Sequence, residues 1–247
     1  HMKSILLPTD FSNNSMNAIN YAMELYKNEA CNFYILNVQK ASSFISDDLM
    51  TVNSSATIYN TIVDAAKKSI SNIITRITKK YDNKNHHFEG IVDYDNFIDS
   101  INQVTKTYNI DLIIMGTNGA SGLEKVIFGS NTSRVMQRCR VPVLAIPVGC
   151  KLSSLSKIAF TTNHLTLFSF EALKVLKEVV SLHNSKLYIL HVADQFQLAQ
   201  KQLQNMNFFN THFEGAEHDY IDVRDKDMFK TVHQYIKDNH IEMFAMI

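Results

Sequence analysis

Apolar positions along this chain alternate between two periods. Short, largely apolar runs lie at Ser4–Pro8, Phe33–Val38, Ile110–Met115 and Val141–Val148, and the more polar His87–Val92 also reads as a strand. Such runs are the mark of strands buried on both faces of a parallel sheet. Between them the period lengthens to that of an amphipathic helix. Ile19, Ala22, Met23 and Tyr26 form one stripe. Ile58, Ile62, Ala66, Ile70, Ile73, Ile77 and Tyr81 form a second and predict a helix over 57–81. Phe97, Ile98, Ile101, Val104 and Tyr108 form a third, and Val135, Met136 and Cys139 a fourth. Ser12, Asn13 or Asn14 suits the N-cap of the first helix, and Ser130 that of the fourth. Residues 40–56 are polar and irregular and read as a mobile loop. Strands alternating with helices predict an α/β fold, a doubly wound parallel sheet with right-handed crossovers.

The pattern then repeats. Lys157–Asn163 matches Lys3–Asp10 in position and polarity, and Phe170–Leu182 is striped like the first helix. Leu187–Val192 parallels Phe33–Val38, Thr211–Gly215 echoes His86–Gly90, and Asn239–Met246 echoes Asn109–Met115. This predicts a duplication with its boundary near Cys150–Ser156, giving domains over 1–150 and 151–247. The copies are unequal. Asn163 stands where the first copy has Asp10, and the helix between the second and third strands is much shorter in copy two. The sequence reaches Ile247 where copy one has Gly116, so the second domain is expected to be incomplete and to lack the glycine loop.

That loop is the chemical focus of the first copy. Gly116, Gly119, Gly122 and Gly129 are four of the chain's seven glycines. They connect the C-terminal end of a strand to the N-terminus of a helix. Ligands of open α/β sheets bind at such strand ends. A helix start offers free N–H groups and a positive dipole end, which suit a phosphate. Glycine permits positive φ and lets a ligand approach the backbone closely.

Composition narrows the function classes. Basic and acidic residues cancel at 24 each, with no basic block, which argues against nucleic acid or an anionic membrane as partner. Cys31, Cys139 and Cys150 show no CxxC spacing, which points to a reducing, cytoplasmic compartment and away from disulfides or a zinc site. No apolar run is long enough to span a bilayer. His86, His87, His212 and His218 lack HxxxH or HExxH spacing, so no metal site is expected. There is no GxxxxGK[ST] loop, no carboxylate pair suited to Mg²⁺ and no Ser-His-Asp order, so a fast phosphoryl-transfer enzyme is not expected.

Gly116-x2-Gly119-x9-Gly129-Ser130 resembles the nucleotide-binding signature of the universal stress protein family. Pro8-Thr9-Asp10-Phe11-Ser12 after the first strand, Val38 ending the second and Val141–Pro147 as the last strand fit the same family, in its tandem two-domain form. The resemblance covers residues 3–148 and, more weakly, 157–247. It implies Rossmann-like domains of the adenine nucleotide alpha-hydrolase type and ATP, with or without Mg²⁺, as ligand. It further implies that Asp10 and the backbone at Val38 hold the adenine, with Pro8, Thr9 and Met115 lining its slot. Gly116 and Gly119 would wrap the ribose and phosphates. Gly129, Ser130, Asn131 and Thr132 would donate to the phosphates. Lys125 and Arg134 lie near the loop; for Lys125 phosphate contact and solvated surface read equally well, and for Arg134 solvated surface is the better reading. By the same resemblance, the last strand of copy one joins two copies or two subunits, with a homodimer and a protein partner as further expectations. The implied role is an ATP-binding stress-response regulator. The alternatives are a slow ATP hydrolase and an interaction module with a vestigial pocket; AMP or another adenine nucleotide is also compatible.

Overall fold

The computed structural model describes residues 2–40, 52–117, 129–149, 151, 156–161, 170–193, 213, 215–222 and 228–246. In chain order they form β1 (Lys3–Pro8), α1 (Asn13–Leu25), β2 (Cys31–Gln39), α2 (Val52–Tyr81), β3 (His86–Tyr94), α3 (Phe97–Thr107), β4 (Leu112–Gly116), α4 (Ser130–Arg138), β5 (Val143–Ile146), β6 (Lys157–Thr161), α5 (Phe170–His183), β7 (Lys186–Ala193), β8 (Glu217–Asp222), α6 (Met228–Asp238) and β9 (Met243–Met246). The α/β architecture is the one the hydrophobic pattern predicts. Three local differences stand out. Residues 52–56, read as loop from their polarity, begin α2, because extending a formed helix costs far less than nucleating one. Of the strand expected at Thr211–Gly215, Thr211, His212 and Glu214 lie outside the described residues, and the described strand that follows is Glu217–Asp222. The fifth strand shortens to Val143–Ile146.

The strands do not form two separate sheets. They join one nine-stranded sheet in the order β3-β2-β1-β4-β5-β9-β6-β7-β8. Every neighbouring pair is parallel except β5–β9, which is antiparallel, with Val143 opposite Met246, Leu144 opposite Ala245 and Ala145 opposite Phe244. The reason is visible in β5, whose four residues are all buried and apolar. An apolar edge left open would invite uncontrolled pairing, and β9 covers it. Side chains alternate across the joint. Leu144, Ile146, Met243 and Ala245 face a core shared with α1, α2 and α5. Val143, Ala145, Phe244 and Met246 face a second core shared with α3, α4 and α6. Each core therefore runs unbroken through both halves. Outside the cores, Lys3 at the start of β1 pairs with Glu29 (3.3 Å) and with Glu178 of α5. It also sits over the Tyr26 ring, 4.8 Å from its centroid.

Buried titratable groups near this bridge set an alkaline limit. Burial, followed by the charge of Glu29, pushes the Cys31 thiol from 9.0 to about 12, and burial raises the Tyr26 phenol well above 10.0. A group whose folded pKa is raised contributes stability that is complete below its unfolded pKa and is lost as pH rises towards the folded one. Stability is therefore expected to hold up to about pH 9 and to fall between about pH 9 and 12. Urea midpoints measured across that range check this, and a flat profile through pH 11 would refute it.

Candidate functional site

The site arises where β1, the central strand of the first half, has β2 on one side and β4 on the other. The chain leaves β1 through α1, which packs on one face of the sheet. It leaves β4 for α4, which packs on the opposite face. The C-terminal strand ends between these diverging helices leave a crevice at the switch point. It holds a cavity of about 160 Å³ lined by Pro8, Thr9, Asp10, Ser15, Asn37, Val38, Phe97, Met115, Gly116, Gly129, Ser130, Asn131 and Thr132.

The β1–α1 wall is fixed by hydrogen bonds. Thr9 N donates to Leu36 O (2.8 Å), Asn37 Nδ2 donates to Thr9 O (2.8 Å), and Gln39 Nε2 donates to Asn37 Oδ1 (2.6 Å). The Ser15 hydroxyl donates to Ser12 O (2.9 Å), which leaves the Thr9 hydroxyl to donate to Ser15 Oγ (2.8 Å). Ser12 caps α1 by accepting from Ser15 N (3.2 Å). Asp10 is exposed and its Oδ1 accepts from Ser12 N (3.0 Å). Between them Phe11 takes a φ of 66°, a left-handed conformation unusual for a bulky residue. Its N–H donates to Thr9 Oγ1 (3.0 Å), which helps hold it there. The loop carrying Asp10 is thus built stiff at the lip of the crevice.

The opposite wall is the base of the glycine loop. Thr117 N donates to Ile146 O (3.2 Å), and Gly129 N donates to Thr117 O (2.5 Å), which closes the two ends of the loop on each other. Thr132 Oγ1 donates to Gly116 O (2.8 Å) and ties α4 to β4. Gly129, and not Ser130, is the N-cap of α4, and no side chain among the described residues caps the helix. Ser130 instead occupies the first helical position, where it is exposed. Three helices start along this edge of the first half with described caps, and α4 differs from the other two. Ser12 serves α1 and Asn96 serves α3, whose Oδ1 accepts from Ile98 N (3.0 Å) and Asp99 N (3.5 Å). At α4 the cap residue is Gly129, which has no side chain to accept from the first-turn N–H groups, and these groups sit beside the cavity. That arrangement favours an anion.

Gly116 has a packing reason to be glycine. A Cβ built there falls 2.5 Å from Asn14 Nδ2 and 2.8 Å from Asn14 Cγ. Gly116→Ala should therefore push Asn14 aside and cost about 1–3 kcal/mol. Most of that cost should vanish in an Asn14→Ala background. Urea unfolding of the two single variants and the double variant measures the coupling, and strictly additive effects would contradict the close approach.

Of the residues singled out from sequence, Pro8, Thr9, Asp10, Val38, Met115, Gly116, Gly129, Ser130, Asn131 and Thr132 come together around the cavity. Gly119 and Lys125 lie outside the described residues, and Arg134 is exposed and not part of the lining. Ser15, Asn37 and Phe97 were missed. Ser15 follows the cap by one turn and Asn37 is a polar break in an apolar strand, so both left a faint signal; Phe97 read as helix core. His86 is buried, its Nε2 against Tyr26 O (2.9 Å) and its ring edge-on to Phe33 (4.9 Å). No metal-binding group of three or more ligands occurs among the described residues, and no described helix is long and apolar enough to cross a membrane.

This arrangement, a crevice at the switch point between the Asp10 loop and the start of α4, is that of an α/β protein with an open strand-end cavity. The sequence profile of the universal stress protein family matches residues 1–147, and the chain belongs to that family. Universal stress protein MJ0531 of Methanocaldococcus jannaschii is 27% identical over 146 residues, covering 58% of this chain and 81% of that protein. Universal stress protein A homolog 1 of Coxiella burnetii is 25% identical over 146 residues, covering 59% and 96%. These relatives match a little over half of the chain. A solved universal stress protein from Archaeoglobus fulgidus covers 96% of this chain and 84% of its own, at 20% identity and a TM-score of 0.59. Its likeness is one of fold and extends through both halves.

Proposed function

We propose that the first half, over 1–150, binds an adenine nucleotide, with ATP the leading candidate, and that the chain acts as a nucleotide-dependent stress-response regulator in the cytoplasm. The observation that carries this reading is the pairing of an apolar slot with the glycine-capped N-terminus of α4 in one cavity. Asp10 and the Val38 backbone would accept from and donate to the base. Ser130, Asn131 and Thr132 would meet phosphates through first-turn N–H groups and hydroxyls. Among the described lining residues Asp10 is the ionisable one, which supports binding with slow or no turnover over fast phosphoryl transfer.

The second half, over 151–247, is read as a degenerate copy. Its strand order β8-β7-β6-β9 repeats β3-β2-β1-β4, and Asn163, outside the described residues, replaces the acidic position of Asp10. It would serve as a built-in packing partner for the first half. The test is direct. The protein as purified is denatured and any released small molecule identified by mass spectrometry. The emptied protein is then titrated with ATP and Mg²⁺ while binding and phosphate release are followed. One ATP per chain without turnover is expected. Steady phosphate release would make it a hydrolase. No binding at millimolar ATP would overturn the nucleotide reading.

A further inference from the structure

The crevice has two chemically distinct ends. At the β4 end are Gly116 and the α4 N-terminus, whose N–H groups suit phosphates. At the β2 end are Val38 and Phe97, and Phe97 is the one aromatic side chain among the described lining residues. With β1 between them, the two ends are about 10 Å apart, two strand spacings. Phe97 opens α3 and is only partly buried, packed against the core that contains Leu36, Ile98 and Met115. Its backbone is pinned because the neighbouring Asn96 side chain caps α3. The same cap occupies the N–H groups of Ile98 and Asp99, so the α3 start is not a competing phosphate site. What remains at that end is a partly buried aromatic residue at a capped helix start.

We propose that Phe97 is the stacking platform for the base of the bound nucleotide and sets a preference for purines over pyrimidines. The inference rests on the nucleotide-binding reading above and adds a specificity determinant to it. An aromatic side chain has only two torsions to fix, so on a backbone held by the Asn96 cap it contributes efficiently to affinity. A purine covers more of the ring than a pyrimidine and so gains more from burial. Phosphate contacts at α4 are the same for either base.

The chain contains no tryptophan, so Phe97→Trp installs a single fluorescent reporter at the platform. ATP is expected to quench it strongly, and CTP less. Phe97→Leu keeps an apolar side chain for packing and removes the stacking face. It is expected to weaken ATP binding by about tenfold or more and to bring the ATP-to-CTP affinity ratio towards one, with the thermal unfolding temperature little changed. Wild-type protein that binds ATP, with the Leu variant keeping both its affinity and its ATP-to-CTP ratio, would overturn the stacking role and leave the nucleotide reading intact. Wild-type protein that binds neither nucleotide would overturn both.

Discussion

Phe244→Ala is expected to destabilise the whole chain by about 3–5 kcal/mol, the usual cost of emptying a buried phenylalanine site. Phe244 is fully buried in the middle of β9, opposite Ala145 of β5 and beside Ala159 of β6. It therefore touches the joint from both sides. A loss of that size is a large fraction of the 5–15 kcal/mol typical of a folded domain. It should lower the melting temperature by roughly 6–20 °C for a chain of this length. Because both cores continue across the joint, the melt should remain a single transition that moves as a unit. Calorimetry tests this. Two transitions, of which one stays at the wild-type temperature, would mean that the halves unfold independently.

Ser130→Asp carries the second large effect, and its two readouts move in opposite directions. Ser130 is exposed at the first position of α4, so a carboxylate fits without disturbing the core. At a helix N-terminus it should gain about 0.3–1 kcal/mol from the dipole. The same charge occupies the place proposed for a phosphate, where like charges cost several kcal/mol. A drop in ATP affinity of about 100-fold or more is expected, together with unchanged or slightly raised thermal stability. Ser130→Ala should change affinity by less than about tenfold, since one hydroxyl hydrogen bond is at stake. Titration calorimetry on both variants decides it. ATP affinity within a few-fold of wild type in Ser130→Asp would remove α4 from the phosphate assignment.

Much of the first half was legible in the sequence because its signals are local. The strand runs, the helical stripes and the glycine cluster each depend on a few neighbouring residues, and the predicted lining residues that are described all meet at one cavity. The N-cap of α4 was misread by one position. Ser130 has the better side chain for a cap, but Gly129 takes the cap conformation as its N–H closes the loop onto Thr117. Phe97 was hidden for a different reason. Its spacing with Ile101 and Val104 is that of a core residue, and only the meeting of α3 with the end of β2 puts it at the cavity. The place of β8 at Glu217–Asp222 has the same character, because a likeness of letters to His86–Gly90 cannot fix register without the β7 partner. The β5–β9 joint was foreseeable as an apolar edge needing cover, but its antiparallel sense comes only from the fold.

That joint also limits how the protein can assemble. Each backbone edge of β5 is already engaged, to β4 on one side and to β9 on the other. A strand with both edges engaged has no hydrogen-bonding valence left to offer another chain. Self-association by extending the sheet through β5 is therefore closed off, and among the described strands β3 and β8 are the outer ones. The β5–β9 pairing joins the two halves of the sheet within one polypeptide, and dilution cannot undo it.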